Sequence, residues 1–121
     1  MTTLEIGTTL VGLVRAHKNH EAMETLYAPD IVSVEAGAPP GGSPEVKGVK
    51  ACLDKGKQWE ARMEVHSGKV DGPYPNGDRF AVTYEYDVTP RAGGARFVMR
   101  EVAVYTVAND KIVREEFFYA M

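Results

Sequence analysis

The 121-residue sequence predicts a single α+β domain, with helices covering one face of a curved, mostly antiparallel sheet. Two observations carry that expectation. Up to about residue 61, apolar residues recur at three- and four-residue spacing around one short strand. From residue 63 onward, four runs of about ten residues are separated only by turn clusters.

The first helix is expected over residues 3–17. Thr2 or Thr3 caps it, Glu5 sits in its first turn, and Leu4, Ile6, Leu10, Leu13, Val14 and His17 form its stripe. Gly7 and Gly12 oppose it by about 1 kcal/mol each against Ala. A polar break at 18–20 precedes a short helix, HEAMETLYA, which Pro29-Asp30 ends. IVSVEA at 31–36 reads as a strand, with Ile31, Ser33 and Glu35 on one face. GAPPGGSPE is loop by its glycines and prolines. A third helix is expected from about Val46 to Ala61, its stripe formed by Val49, Cys52, Leu53, Gly56, Trp59 and Met63. The four remaining runs, MEVHSGKVDG, DRFAVTYEYDVT, ARFVMREVAVYTV and KIVREEFFYA, read as strands of an antiparallel meander.

Composition narrows the partners. Hydrophobic residues make up 44% and charged residues 26%, ordinary values for a globular chain. Fourteen basic against seventeen acidic residues leave a net charge of −3, which argues against nucleic acid. One cysteine, Cys52, excludes an internal disulfide and a cysteine zinc cage. No apolar run approaches the ~20 residues of a membrane span, and the acidic start MTTLEIGTTL lacks a secretory signal, so the expected location is the cytoplasm. Three scattered histidines lack zinc-binding spacing, and GAPPGG lacks the Gly-Lys-Ser/Thr of a phosphate loop; no metal and no cofactor are expected.

Both faces of the run at 96–107 are apolar: Val98, Val102 and Val104 against Phe97, Met99, Ala103 and Tyr105. Such a strand is covered on both sides, by the helices and by a second subunit. On the run at 78–89, Phe80, Val82, Tyr84, Tyr86 and Val88 oppose Thr83, Glu85, Asp87 and Thr89, and periodicity alone does not say which set faces inward.

Several side chains are candidates for chemistry. Glu35, if inward, is a desolvated carboxylate suited to general acid–base work; at a strand edge it is a solvated surface acid. Lys55 borders the buried stripe of its helix, where it reaches Glu35 or Glu101 or else extends to water. His66 on its strand is an acid–base group or a hydrogen-bonded wall residue. Glu101 and Glu115, mid-strand on adjacent hairpin arms, share a proton or pair with a cation. Trp59, Tyr105 and Phe117 are core residues, ligand contacts or both.

The segment ETLYAPDIVSVEA, the Pro/Gly loop with the helix after it, and the ending AVYTVANDKIVREEFFY together resemble the SnoaL-like branch of the nuclear transport factor 2-like superfamily, over essentially the whole chain. The chain is most similar to members without an assigned activity. The resemblance implies a cone: a strongly bent sheet around a small-molecule pocket closed by three N-terminal helices, with homodimers through the outer sheet face. Glu35 falls on the general-base position of ketosteroid isomerase, but that enzyme's oxyanion-hole positions are Val11 and Ala103 here. Asp87 matches a catalytic aspartate of limonene epoxide hydrolase, whose arginine and second aspartate fall at Glu85 and Phe117. The resemblance directs Glu35, Glu85, Asp87, Met99, Glu101, Ala103, Tyr105, Glu115 and Phe117 into the cone. It leaves Val82, Tyr84, Tyr86, Val98, Val102 and Val104 for the dimer face. The implied function is uptake of a small, partly apolar molecule, with isomerisation, aldol cyclisation or dehydration as candidate reactions. The alternative is a non-catalytic binding or dimerisation module.

Overall fold

A computed structural model describes residues 1–38 and 41–120. Its elements run α1 (Thr3–Arg15), α2 (Asn19–Leu26), β1 (Tyr27–Val34), β2 (Glu45–Lys47), α3 (Val49–Arg62), β3 (Met63–Asn76), β4 (Arg79–Pro90), β5 (Phe97–Ala108) and β6 (Lys111–Phe118). One six-stranded sheet has the order β2-β1-β6-β5-β4-β3. The meander β3–β6 is antiparallel throughout, and β1 joins β6 in parallel.

The N-terminus of α1 is a capping box. Thr2 Oγ1 accepts from Glu5 N at 3.1 Å, and Glu5 Oε1 accepts from Thr2 N at 2.9 Å. The helix stops two residues short of the expected 17, because His17 takes a left-handed φ of 61°. Arg15 then donates to Val70 O through Nε at 3.0 Å and Nη2 at 2.7 Å, tying the end of α1 to the edge strand β3.

Two elements differ from expectation near the Pro/Gly loop, whose prolines at 39 and 40 lie outside the described residues. β1 begins at Tyr27 rather than at residue 31. Tyr27 leaves α2 and pairs with Ile112, while Pro29 and Asp30 are exposed at an irregularity between Tyr27 and Val32. β2 is a three-residue edge strand where loop and helix start were expected. Val46 pairs with Ser33, and Gly48, at φ 94°, separates the strand from α3. At the other end of the sheet, Asn109 and Asp110 both take positive φ, 52° and 62°, as a two-residue type I′ hairpin between β5 and β6 requires.

The dry core lies between α1 and the concave sheet face. Ile6, Leu10 and Val11 of α1 meet Phe80, Val82, Ala103 and Ile112, all almost fully buried. Burial of each such large apolar side chain contributes about 1.5–3 kcal/mol. Gly7 lets α1 come close, since a Cβ there would lie 2.7 Å from Pro73 Cβ. α3 is different: of its expected stripe only Cys52 is fully buried, so this helix overhangs an open space.

The facing of β4 corrects the expected register. Phe80, Val82 and Tyr84 are buried on the concave side, and Tyr84 stands opposite Glu101 and Tyr86 opposite Met99. Glu85 and Asp87 therefore point outward, and Val82, Tyr84 and Tyr86 are not part of the outer face. Directly opposed residues of an antiparallel pair share a face, so inward Met99 and Glu101 on β5 require inward Tyr84 and Tyr86 on β4. Among the described residues no helix is long and apolar enough to cross a membrane.

Candidate functional site

Beneath α3 the sheet borders a cavity of about 720 Å³, lined in part by Glu35, Gly37, Ser43 and Pro44 of the loop that follows β1. Leu10 and Val14 of α1 and Ala22 and Met23 of α2 close its inner end. Trp59, Tyr86, Met99 and Phe117 form apolar walls. The volume is in the range of sites for small organic molecules.

One chain of polar contacts crosses this space. Tyr119 donates to Glu35 Oε2 at 2.9 Å, and Glu35 Oε1 pairs with Lys55 Nζ at 2.7 Å. Lys55 also donates to Ser33 Oγ at 2.6 Å, and its ammonium lies 5.1 Å from the centroid of the Phe117 ring. Ser33 passes its own hydrogen to Glu115 Oε1 at 3.1 Å, and Tyr27 donates to Glu115 Oε2 at 2.5 Å. The alternation of β1 places Ile31 and Ser33 inward with Glu35 just beyond the strand end, and α3 carries Lys55 above them. Ser33 and Glu115 are almost fully buried, yet both are satisfied. Burial raises the Glu115 carboxyl above its ordinary value, against the hydrogen bonds from Tyr27 and Ser33 and the charge of Lys55.

Glu101 is placed differently. It projects from β5 into the same cavity, and among the described residues no protein group hydrogen-bonds or ion-pairs with its carboxylate. Burial first, then the nearby charges of Glu35 and Glu115, push its carboxyl up to about 7, with Lys55 acting in the opposite direction. Beside it, the Tyr84 and Tyr105 hydroxyls bond each other at 2.6 Å, and burial raises both well above the usual phenol value. Tyr86 is pushed up to about 12, by burial and then by the charge of Glu101. Cys52 is pushed up to about 11, mainly by burial, so its thiol stays protonated and is a poor nucleophile.

Of the residues singled out in the sequence, Glu35, Lys55, Trp59, Met99, Glu101, Tyr105, Glu115 and Phe117 meet around this cavity. His66 and Asp87 do not. Asp87 lies on the convex face in a bidentate pair with Arg96, at 2.8 Å for each bond, which holds its carboxyl below the usual value. His66 sits at a register irregularity of β3, exposed, with Nε2 2.7 Å from Thr89 Oγ1. Neither residue reaches the cavity. The facing of β4 and the irregularity in β3 turn them away. Glu101 and Glu115 do not contact each other, since Glu115 is engaged by Tyr27 and Ser33. Ser33, Tyr27, Tyr84, Tyr86 and Tyr119 were not anticipated as site residues. Ser33 carried a signal, because it shares the period-two face of Glu35.

Among the described residues no group of three metal-ligating side chains is assembled. At its centre the arrangement is a partly apolar chamber in which Lys55 is held by Glu35 and Ser33, Glu115 is engaged by Tyr27 and Ser33, and the Glu101 carboxyl is pushed up to about 7.

Fold and cavity together define a cone-shaped α+β protein with a cavity beneath α3. A family model for the SnoaL-like domain matches residues 1–119, and the chain belongs to that family. A crystal structure from Mesorhizobium loti, described as that of a candidate SnoaL-like polyketide cyclase, is 43% identical. The match covers 98% of this chain and all of that one, with a TM-score of 0.92. A nuclear transport factor 2-like protein from Burkholderia thailandensis is 23% identical over 99% of this chain and 92% of its own, with a TM-score of 0.82. A candidate isomerase from Bacillus subtilis is 17% identical over 99% and 90%, with a TM-score of 0.80. These last two show the fold alone. A comparison with curated proteins gave no match.

Proposed function

We propose that the chain takes up a small, partly apolar molecule in the cavity and moves a proton on it, with Glu101 as the acid–base group. The observation that carries this reading is the carboxyl of Glu101. It lines a ligand-sized space without a protein partner among the described residues, and its raised value near 7 makes both protonation states available at neutral pH. Glu35 is assigned a supporting part, because its two oxygens are already held by Lys55 and Tyr119. Isomerisation, aldol cyclisation and dehydration all need such a group, and the 43% identical relative named as a candidate polyketide cyclase is consistent with that class. The test is solvent-deuterium exchange into a panel of small ketones and hydroxyketones, followed by NMR. Exchange by the wild type that disappears in Glu101→Gln supports the assignment. Exchange that persists in the variant removes it.

A second reading is a binding protein without chemistry. Its supporting observation is the mutual saturation of Tyr119, Glu35, Lys55, Ser33, Glu115 and Tyr27, which leaves most of the polar groups occupied. Ligand retention without exchange of any ligand proton distinguishes it.

In either case we propose a homodimer through the convex face. Val98, Val102 and Phe118 are exposed there, 39–53% each, and Arg100–Glu85 and Arg114–Glu116 ion pairs lie beside them. Light scattering that gives one species at the 13.3 kDa monomer mass removes the dimer.

A further inference from the structure

The charges around the cavity do not balance. Five acids line it, Glu35, Asp54, Glu60, Glu101 and Glu115, against two cations, Lys55 and Arg62, and the Lys55 ammonium is already shared between Glu35, Ser33 and the Phe117 ring. At the rim, His20 of α2 and Glu60 of α3 pair with each other at 3.2 Å. The groups facing Glu101 are thus Glu35 from the loop after β1, Lys55 from α3, Glu115 from β6, Tyr84 and Tyr86 from β4, and Tyr119 near the chain end. None of these offers Glu101 a cation of its own.

The walls beside Glu101 are aromatic. Trp59 and Tyr86 stand 5.8 Å apart at 52°, and Tyr86 continues to Tyr84 at 6.0 Å, nearly parallel. Ring faces carry partial negative charge and attract a cation, most strongly when water is excluded. The seat of Lys55 on Phe117 shows one cation already held this way. Electron-rich rings with an unpaired carboxylate suit positive charge and repel anions.

We propose that the ligand of this cavity is a small organic cation, a protonated amine on an apolar body, whose nitrogen pairs with the Glu101 carboxylate against the Trp59–Tyr86 wall. This rests on reading the cavity as a ligand site and names the ligand class. The pairing also keeps Glu101 ionised at neutral pH, the form in which it accepts a proton from the ligand.

The test uses three soluble probes of one shape: 2-phenylethylammonium, 2-phenylethanol and 3-phenylpropionate, titrated calorimetrically into the full chain at pH 6 and pH 8. The ammonium is expected to bind at least tenfold more tightly than the alcohol at pH 8, and the propionate most weakly. The preference narrows at pH 6, where Glu101 takes up its proton. In Glu101→Gln the preference and its pH dependence are both lost, which assigns the pH dependence to Glu101 rather than His20. Trp59→Leu, which leaves Glu101 in place, is expected to reduce the preference severalfold, with folding of both variants checked by circular dichroism. Alcohol or propionate binding as tightly as the ammonium at pH 8 overturns the cation and leaves the ligand-site reading standing. If none of the three probes binds, both fall.

Discussion

The two faces of the sheet handle the same residue types in opposite ways. On the convex face carboxylates meet arginines in the open: Asp87 with Arg96 at 2.8 Å, Glu85 with Arg100 at 3.1 Å and Glu116 with Arg114 at 3.0 Å. On the concave face, one residue away along the same strands, Glu115 is satisfied by two hydroxyls and Glu101 by no protein group among the described residues. The direction of the carboxyl shift follows the face. It is down for Asp87, where hydrogen bonds from Arg96 favour the charged form, and up for Glu101 and Glu115, where burial disfavours it. The convex acids are tied up in solvated pairs, whereas the concave ones stand where charge is costly.

The contrast has a sharp test at Ser33, which links Lys55 to Glu115 inside the protein. Ser33→Val removes an acceptor from the ammonium and a donor from a buried carboxyl at once. The expected loss is about 2–3 kcal/mol in urea denaturation. A loss comparable to that of a surface substitution breaks the claim that the interior chain is needed.

Glu101→Gln should go the other way. The folded value, about 7, lies above the ordinary 4.5. The folded state therefore holds more protons between these values, and stability falls as pH rises from about 4.5 to about 7. The amide carries no such dependence. The variant is expected to match the wild type at pH 4 and to exceed it by on the order of 2 kcal/mol at pH 8. Parallel pH profiles for the two proteins would place Glu101 with the convex acids.

At the mouth, Tyr119→Phe removes one hydrogen bond from Glu35, which keeps Lys55. A loss of about 0.5–1 kcal/mol is expected by thermal denaturation, and a larger one makes the chain end part of the core network. The smallest effect belongs to the convex face. Asp87→Asn should leave the melting temperature within measurement scatter in 0.5 M salt, because an exposed pair is screened. A clear drop there erases the difference between the faces.

Legibility in the sequence followed the same division. The family resemblance points Met99, Glu101, Tyr105, Glu115 and Phe117 of β5 and β6 inward, and all five line the cavity. That choice came from the resemblance, because both faces of β5 are apolar. On β4 the same resemblance pointed Glu85 and Asp87 inward. Yet the plain alternation of Phe80, Val82, Tyr84 and Val88 matches the buried set, and pairing with β5 makes it obligatory. The irregularity that turns His66 away follows from the pairing of two strands, which a single run of residues does not encode.

The sequence alone determined the α+β class, the order of helices and meander, a helix start capped by Thr2 or Thr3 with Glu5 in its first turn, and the absence of an internal disulfide. These depend on local propensity and on period, which neighbours along the chain specify. Tertiary structure decided the parallel seat of β1 beside β6, the outward turn of Asp87, and the route from Tyr119 through Lys55 to Tyr27. It also decided that Glu101 stands without a protein partner among the described residues. Those depend on which face meets which, and on how far water is excluded when distant segments close over one another. Desolvation and charge pairing act through space, so residues more than eighty positions apart, such as Ser33 and Glu115, set each other's chemistry only after the cone has closed.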